Sequence, residues 1–198
     1  MKLKRNHVVT ISMLKDGVKF PNRDVDAVEC IMEHLDAFLK QIRRVTSAMM
    51  TPTTSTTEDS KESSTFSRLL VGMLLRNVKH RWVTCLLVAG CIELRLTTSF
   101  HNTEQCEEVN VTTRGNHVVQ ACENFYRYVQ EQHLDCCWEA RPLVNGKDIM
   151  QRLNLKGGGR IIGQLVEEQW KWMLQNPLGE REDCVAFLQQ KYLEIIHS

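Results

Sequence analysis

Residues 141–179, RPLVNGKDIMQRLNLKGGGRIIGQLVEEQWKWMLQNPLG, carry the densest positional information in the chain. The Asn-Gly pair at Asn145 is a strong turn signal. Residues 147–155 follow with apolar side chains at helical spacing. The run Gly157–Gly159 stops that helix, and a second helix is predicted over Arg160–Leu174 before a proline and a glycine close it. This stretch therefore predicts two helices joined by a glycine turn.

Glycines at such a junction have two explanations. They permit close packing of the two helices, or they point free backbone N–H groups at an anion beside the start of the second helix. Cations crowd the same corner, so the candidate RNA-phosphate contacts are Lys147, Arg152, Lys156, Gly157, Gly158, Gly159 and Arg160. From spacing alone both explanations stay open.

The composition limits what the chain can do. Its 198 residues are 42% hydrophobic, which is enough for a sizeable core, and the formal charge of +1 allows a local basic patch but not a globally basic protein. No apolar run reaches membrane-spanning length, so no membrane partner is expected. Eight cysteines without a CxxC pair or a secretory signal predict reduced thiols and an intracellular location, with cytoplasm, nucleus and organelle left open.

Helical periodicity recurs through the rest of the chain, so the predicted fold class is all-α with short connections. Further amphipathic segments lie at 22–44, 66–76, 82–96, 118–129 and 183–196. The first of these ends at the basic pair Arg43-Arg44, which suits a helix C-terminus. Residues 99–115 are polar and predict a loop, with a weak strand alternative at 108–112. Residues 51–65 are rich in serine and threonine and contain no large apolar residue. They therefore predict one disordered loop.

Two further groups of residues are candidate RNA-binding sites. The basic corner at Arg76, Lys79, His80 and Arg81 is a second candidate phosphate patch or a solvated helix junction. Aromatic residues near basic corners can stack on bases, although at helical spacing they are more often core. The candidates are Phe125, Tyr126, Tyr128, Trp138, Trp170 and Trp172.

No metal site or catalytic residue is predicted. The group His117, Cys122, Cys136 and Cys137 lacks the usual zinc-ligand spacing. Asp24 and Asp26 form a D-x-D, which in nucleotidyl transfer holds magnesium, but here the pair opens an amphipathic helix with no glycine-rich loop before it. Capping of that helix is the preferred explanation.

The 141–179 stretch resembles the C-terminal region of eukaryotic CCA-adding enzymes, the tRNA nucleotidyltransferases of the poly(A) polymerase-like class. The shared pattern is a PL-x-NG-K-D-I turn and helix, a glycine- or proline-rich turn, and a helix ending in W-x-x-x-N-P-x-G. The matching residues are Pro142, Leu143, Asn145, Gly146, Lys147, Asp148 and Ile149, then Gly157–Gly159 and Gly163, then Trp172, Asn176, Pro177 and Gly179. A softer resemblance begins near residue 8 and includes residues 15–26.

This resemblance implies a function in adding C, C and A to tRNA 3′ ends. In the family a head with a D-x-D uses magnesium with CTP and ATP, and an E-D-x-x-R motif selects the nucleotide. Neither element is found here in a suitable setting, because Glu58-Asp59 is followed by Glu62 where the motif has arginine. The resemblance implies an all-helical body and tail that hold tRNA, with no cofactor of their own and no catalysis alone. A separate catalytic head is left open.

The predicted organisation follows from these assignments. Residues 1–50 start the helical body, 51–65 form the low-complexity loop, 66–140 continue the body, and 141–198 form the tail with the glycine-turn helix pair. The competing hypothesis is a helical protein-interaction module without RNA binding, which the near-neutral charge favours.

Overall fold

The computed structural model describes residues 9–50, 66–99, 108–155 and 159–196. The described residues form seven α-helices and no strand, which confirms the all-α prediction. The helices are α1 (Asn22–Met50), α2 (Arg68–Val78), α3 (Trp82–Ser99), α4 (Glu108–Glu131), α5 (Gly146–Arg152), α6 (Arg160–Gln175) and α7 (Arg181–Ile196). A π-helix, Met13–Gly17, precedes α1, and a 3-10 turn, Lys79–Arg81, joins α2 to α3. The predicted 51–65 loop lies outside the described residues.

The chain divides into two compact units. Unit 1 comprises Met1–Ser67 and Leu74–Trp138, and unit 2 comprises Arg68–Met73 and Glu139–Ser198. Helix α2 is thus shared, its first six residues belonging to unit 2. None of the helices in the described ranges is long and apolar enough to cross a membrane.

Unit 1 is built on α1, α3 and α4, which pack against one another. Its centre is a group of aromatic rings. Phe125 of α4 is fully buried and lies 5.7 Å from Phe38 of α1 and 5.3 Å from Phe66, measured between ring centroids. Gly90 lets α3 approach α4, because a Cβ atom there would lie 2.9 Å from the Cys122 sulfur.

Helix α1 is longer than the sequence predicts. Its expected end at Arg43-Arg44 is wrong, since the helix continues to Met50. The Arg43 guanidinium is not a helix-terminal cation but donates at 2.7 Å to the carboxylate of Glu93 on α3. Val45 and Thr46 beyond it are buried, so the core-facing stripe extends past the basic pair.

Helix α4 also begins earlier than expected. Residues 108–115 were predicted as loop or strand but are helical. Their asparagine, threonine and glycine content gives weak intrinsic helix preference. Packing overrides it, as Gly115 faces the Leu94 side chain of α3, with 3.7 Å from an added Cβ to the leucine methyl.

Unit 2 has its own core, contributed by α5, α6, α7 and the segment that precedes α5. The buried members are Val144, Ile149, Leu165, Cys184, Val185 and Leu188. The start of α2 adds two contacts to the end of α6. Arg68 donates from Nε to the Leu174 carbonyl at 2.7 Å, and Gly72 leaves room for the Leu174 side chain, which would lie 2.5 Å from an added Cβ.

Candidate nucleic-acid interface

The start of α5 is fixed by Asn145, which precedes the helix. Its side-chain oxygen accepts a hydrogen bond from the Asp148 backbone N–H at 2.8 Å, so the residue is an N-cap rather than part of a free turn. The Asp148 carboxylate in turn pairs with Arg181 at the beginning of α7. Two residues of the shared sequence pattern therefore orient α5 within unit 2.

Gln169 of α6 ties down the segment before α5. Its fully buried amide accepts from the Val144 N–H at 3.0 Å and donates to the Val144 carbonyl at 3.1 Å. Burial raises the pKa of the Cys184 thiol to about 11, so the thiol stays protonated at neutral pH. Its sulfur donates to the same Gln169 oxygen at 3.7 Å. The sequence did not predict that Gln169 holds the segment before α5. The one signal for it is a polar residue on an otherwise apolar helix stripe.

The W-x-x-x-N-P-x-G pattern terminates α6. The backbone N–H of Asn176 and its side-chain amide donate to the Trp172 carbonyl at 2.8 and 2.9 Å. A Cβ on Gly179 would lie 2.3 Å from Cη2 of the Trp172 indole. Because Trp172 also packs against Phe187 and the unit 2 core, the indole has little room to move. Glycine at 179 is therefore required by space.

Gly179→Ala is expected to lower the free energy of unfolding by about 1–3 kcal/mol, the usual cost of forcing extra volume into a packed site. Urea denaturation with and without the substitution measures it. Gly163→Ala is the matched control, because a Cβ at Gly163 meets nothing within 4 Å. Equal stability of Gly179→Ala and the parent would contradict the steric explanation.

Gly159, the last residue of the glycine turn, precedes α6 with a φ of +77°. A Cβ there would meet nothing within 4 Å, so this glycine is required by backbone conformation and not by close packing. The other predicted residues of the turn, Lys156, Gly157 and Gly158, lie outside the described residues. For Gly159 the packing explanation therefore receives no support.

The positive N-terminal end of α6 is not offset by any acidic residue in its first turn. No described side chain caps it. The first N–H groups of a helix have no partner within the helix, and they carry the positive end of its dipole. A shallow depression beside it also reaches the start of α5 and is lined by Asn145, Gly146, Lys147, Met150, Gly159 and Ile162. The structure thus brings Lys147 and Gly159 to one depression.

The described cations of this candidate interface are unpaired. Lys147, Arg152 and Arg160 are exposed, and none forms an ion pair with another described residue. Lys171 and Lys191 differ, because hydrogen bonds to Glu168 and Glu194 occupy their ammonium groups and raise the pKa of each lysine. Arg160 is the first residue of α6, while Arg152 lies at the far end of α5. These charges and the open helix end can attract an anion.

The second basic patch lies where α2 meets α3. Lys79 and His80 are exposed in the 3-10 turn, with Lys79 at a φ of +53°, and Arg81 and Arg76 are partly buried. Arg76 has a contact of its own within the protein. The exposed side chains of this patch are therefore Lys79 and His80.

The residues weighed as metal ligands do not converge. Asp24 lies in the first turn of α1 and has Arg23 at 3.6 Å, and Asp26 follows two residues later in the same helix. Within the part of the chain that the structure describes, no group of three or more histidine, cysteine, aspartate or glutamate side chains is arranged to hold a metal ion. The D-x-D therefore sits where a helix start stabilises carboxylates.

Comparison with known proteins supplies the family context. The chain is 22% identical over 197 residues to "CCA tRNA nucleotidyltransferase, mitochondrial" of Saccharomyces cerevisiae, covering 97% of this chain and 31% of that protein. It is 21% identical over 187 residues to the protein of the same name from Candida glabrata, covering 94% and 30%. It is 23% identical over 128 residues to "tRNA nucleotidyltransferase cca2" of Schizosaccharomyces pombe, covering 65% and 24%. No protein-family model and no solved structure matches the chain.

These relatives confirm the resemblance predicted from the 141–179 stretch. The fold is that of an all-helical protein without a strand in its described part. Its curated relatives are CCA tRNA nucleotidyltransferases, and the chain spans less than a third of their length.

Proposed function

We propose that this chain is the tRNA-binding body and tail portion of a CCA-adding tRNA nucleotidyltransferase, acting in tRNA 3′-end maturation. The observation that carries the proposal is the start of α6, which has no side-chain cap and lies at the same depression as Lys147, with the exposed Arg160 as its first residue. This arrangement lies within the stretch that resembles the family, and similarity to the Saccharomyces cerevisiae relative extends over 97% of the chain.

The chemistry of the arrangement suits a phosphate of the RNA backbone. Exposed N–H groups at a helix start donate to phosphate oxygens, and the helix dipole adds about 0.3–1 kcal/mol per charge near its end. Each neighbouring cation that neutralises a phosphate releases counterions and makes binding salt-dependent. Because the net charge is only +1, affinity depends on this local cluster and not on the overall field of the protein.

Reversing two of these charges is expected to weaken tRNA binding. In Lys147→Glu/Arg160→Glu the affinity should fall at least about tenfold, with a shallower dependence of log Kd on log salt, because fewer phosphates are neutralised. Filter binding across a salt series measures both quantities. Lys40→Glu/Arg44→Glu is the matched control, since it makes the same charge change at exposed positions on α1. Equal weakening by the two double variants would remove the site from the proposal.

The proposal assigns no nucleotide transfer to this chain alone. On this proposal the chain alone binds neither magnesium nor CTP or ATP. The reasons are that the D-x-D opens α1 and that the E-D-x-x-R motif is not matched. The test incubates the protein with tRNA lacking CCA, magnesium and labelled CTP and ATP. Incorporation at the no-protein level is expected, and incorporation clearly above it contradicts this assignment.

The competing function is a helical protein-interaction module without RNA binding, which the charge of +1 favours. The same salt series separates the two functions. A steep fall of affinity with salt supports phosphate contacts, whereas no tRNA binding at low salt favours the protein-interaction module.

A further inference from the structure

Among the six aromatic residues that are candidates for stacking on bases, Tyr126 is the most exposed. All six lie in the described ranges, and Phe125 and Trp170 are buried while three more are partly buried. Tyr126 of α4 is 47% exposed. The core therefore accounts for the other candidates and leaves Tyr126 without a packing explanation for its outward half.

The Tyr126 ring is held in place from one side. It stacks on the indole of Trp82, with ring centroids 5.4 Å apart and an interplanar angle of 28°. Trp82 is only 4% exposed, so it forms a fixed base beneath the tyrosine. The face of Tyr126 turned away from Trp82 is thus a flat, preorganised aromatic surface.

A basic turn is joined to Trp82 through the backbone. Trp82 is the first residue of α3, and its N–H donates to the carbonyl of Lys79 in the 3-10 turn. Lys79 and His80 of that turn are exposed. The second basic patch therefore lies next in the chain to the tryptophan on which the exposed Tyr126 ring stacks.

We propose that Tyr126 stacks on an unpaired base of an RNA strand whose backbone passes the Lys79–Arg81 turn. A flat exposed ring, stacked on a tryptophan that directly follows a basic turn, suits single-stranded nucleic acid, because every base offers a π-face and every linkage a phosphate. A duplex hides its base faces and cannot use the ring. This proposal rests on the proposed function and specifies the form of RNA that unit 1 takes.

A protein partner would use the surface differently. Val83 and Leu87 are also exposed on α3, at 36% and 62%, and offer apolar surface that a protein partner would bury. A stacked base requires the ring alone. Leu87 therefore supplies a variant that separates the two kinds of contact.

The experiment uses the full chain and two RNA probes. One is a hairpin with a single-stranded 3′ overhang that carries 2-aminopurine, and the other is a blunt duplex of equal length with 2-aminopurine inside. Stacking of an aromatic ring on the unpaired fluorophore should quench it on binding. Tyr126→Ala should lower affinity for the overhang probe by roughly five- to hundredfold and abolish the quench, and should leave duplex binding unchanged.

Three further variants sharpen the result. Tyr126→Phe keeps the ring and should retain the quench. Tyr126→Leu keeps apolar bulk without the ring and should lose it, and Leu87→Ser should leave it intact. Far-UV circular dichroism checks that each variant is folded, which the exposure of both positions favours.

The outcomes separate this inference from the proposed function. If the parent binds tRNA but Tyr126→Ala keeps both affinity and quench, stacking is wrong and the proposed function stands. If the parent binds no RNA at low salt, both proposals fail. If Tyr126→Leu keeps the affinity while Leu87→Ser loses it, the surface is an apolar protein contact and the inference is overturned.

Discussion

Replacing Phe125 by alanine is expected to lower the free energy of unfolding of unit 1 by about 3–5 kcal/mol. The ring is fully buried and touches aromatic partners from two other segments, Phe38 at 5.7 Å and Phe66 at 5.3 Å between centroids. Truncation removes buried apolar surface and leaves a cavity where three segments meet. The Phe66 contact matters further because that residue lies just before α2 and packs its segment onto unit 1.

Chemical denaturation gives the stability change, and native-state hydrogen exchange assigns it to unit 1. Phe125→Leu serves as the control, because it keeps most of the apolar volume and loses mainly the ring contacts, each worth about 0.5–1.5 kcal/mol. Its loss should be clearly smaller than that of the alanine variant. A Phe125→Ala protein that unfolds at the same urea concentration as the parent would show that the aromatic group is not the centre of the unit.

The fold could be predicted where local patterns decide it. The stripe of α1 and the second helix of the 141–179 stretch follow directly from apolar spacing, whereas the first, predicted over 147–155, ends at Arg152 before the glycine run. The errors occur where distant residues override local signals. Arg43 looks like a terminal cation until Glu93, fifty positions later, pairs with it. Residues 108–115 have poor helix formers, and packing against α3 makes them helical.

The candidate site could be predicted only in outline. Lys147, Arg152 and Arg160 are visible in the sequence, but so are Lys171 and Lys191, which are neutralised by neighbouring glutamates. Sequence spacing does not state which cations remain unpaired, since that depends on side-chain geometry.

The residues that carry the family resemblance divide by role. Asn145, Asp148, Trp172, Asn176 and Gly179 cap helices or fill space in unit 2, and this explains why the motif has strict spacing. The exposed cations Lys147, Arg152 and Arg160 neither cap a helix nor fill space in the core. The motif therefore builds the helical framework, and Lys147 within it, with Arg152 and Arg160 between its other positions, supplies the proposed contact with RNA.

Within unit 2, the substitution expected to destabilise this framework most is at Gln169. Gln169→Leu is expected to lower the free energy of unfolding of unit 2 by about 2–6 kcal/mol. The reason is that a leucine satisfies neither the N–H nor the carbonyl of Val144, and each buried unsatisfied group costs about 1–3 kcal/mol. The backbone partner cannot be removed by mutation, so no second substitution at Val144 can relieve the cost. Cys184 also loses its acceptor.

Gln164→Leu tests the explanation, because it makes the same change on the same helix at an exposed position and should be nearly neutral. Denaturation measured by tryptophan fluorescence, with hydrogen exchange to locate the change, gives both values. Val144 directly precedes the Asn145 cap, so loosening it also frees the start of α5 and displaces Lys147. We therefore expect Gln169→Leu, and not Gln164→Leu, to weaken tRNA binding as well. A Gln169→Leu protein with unchanged stability would mean that Val144 finds other partners, and unchanged tRNA binding by a destabilised Gln169→Leu protein would contradict the link to Lys147.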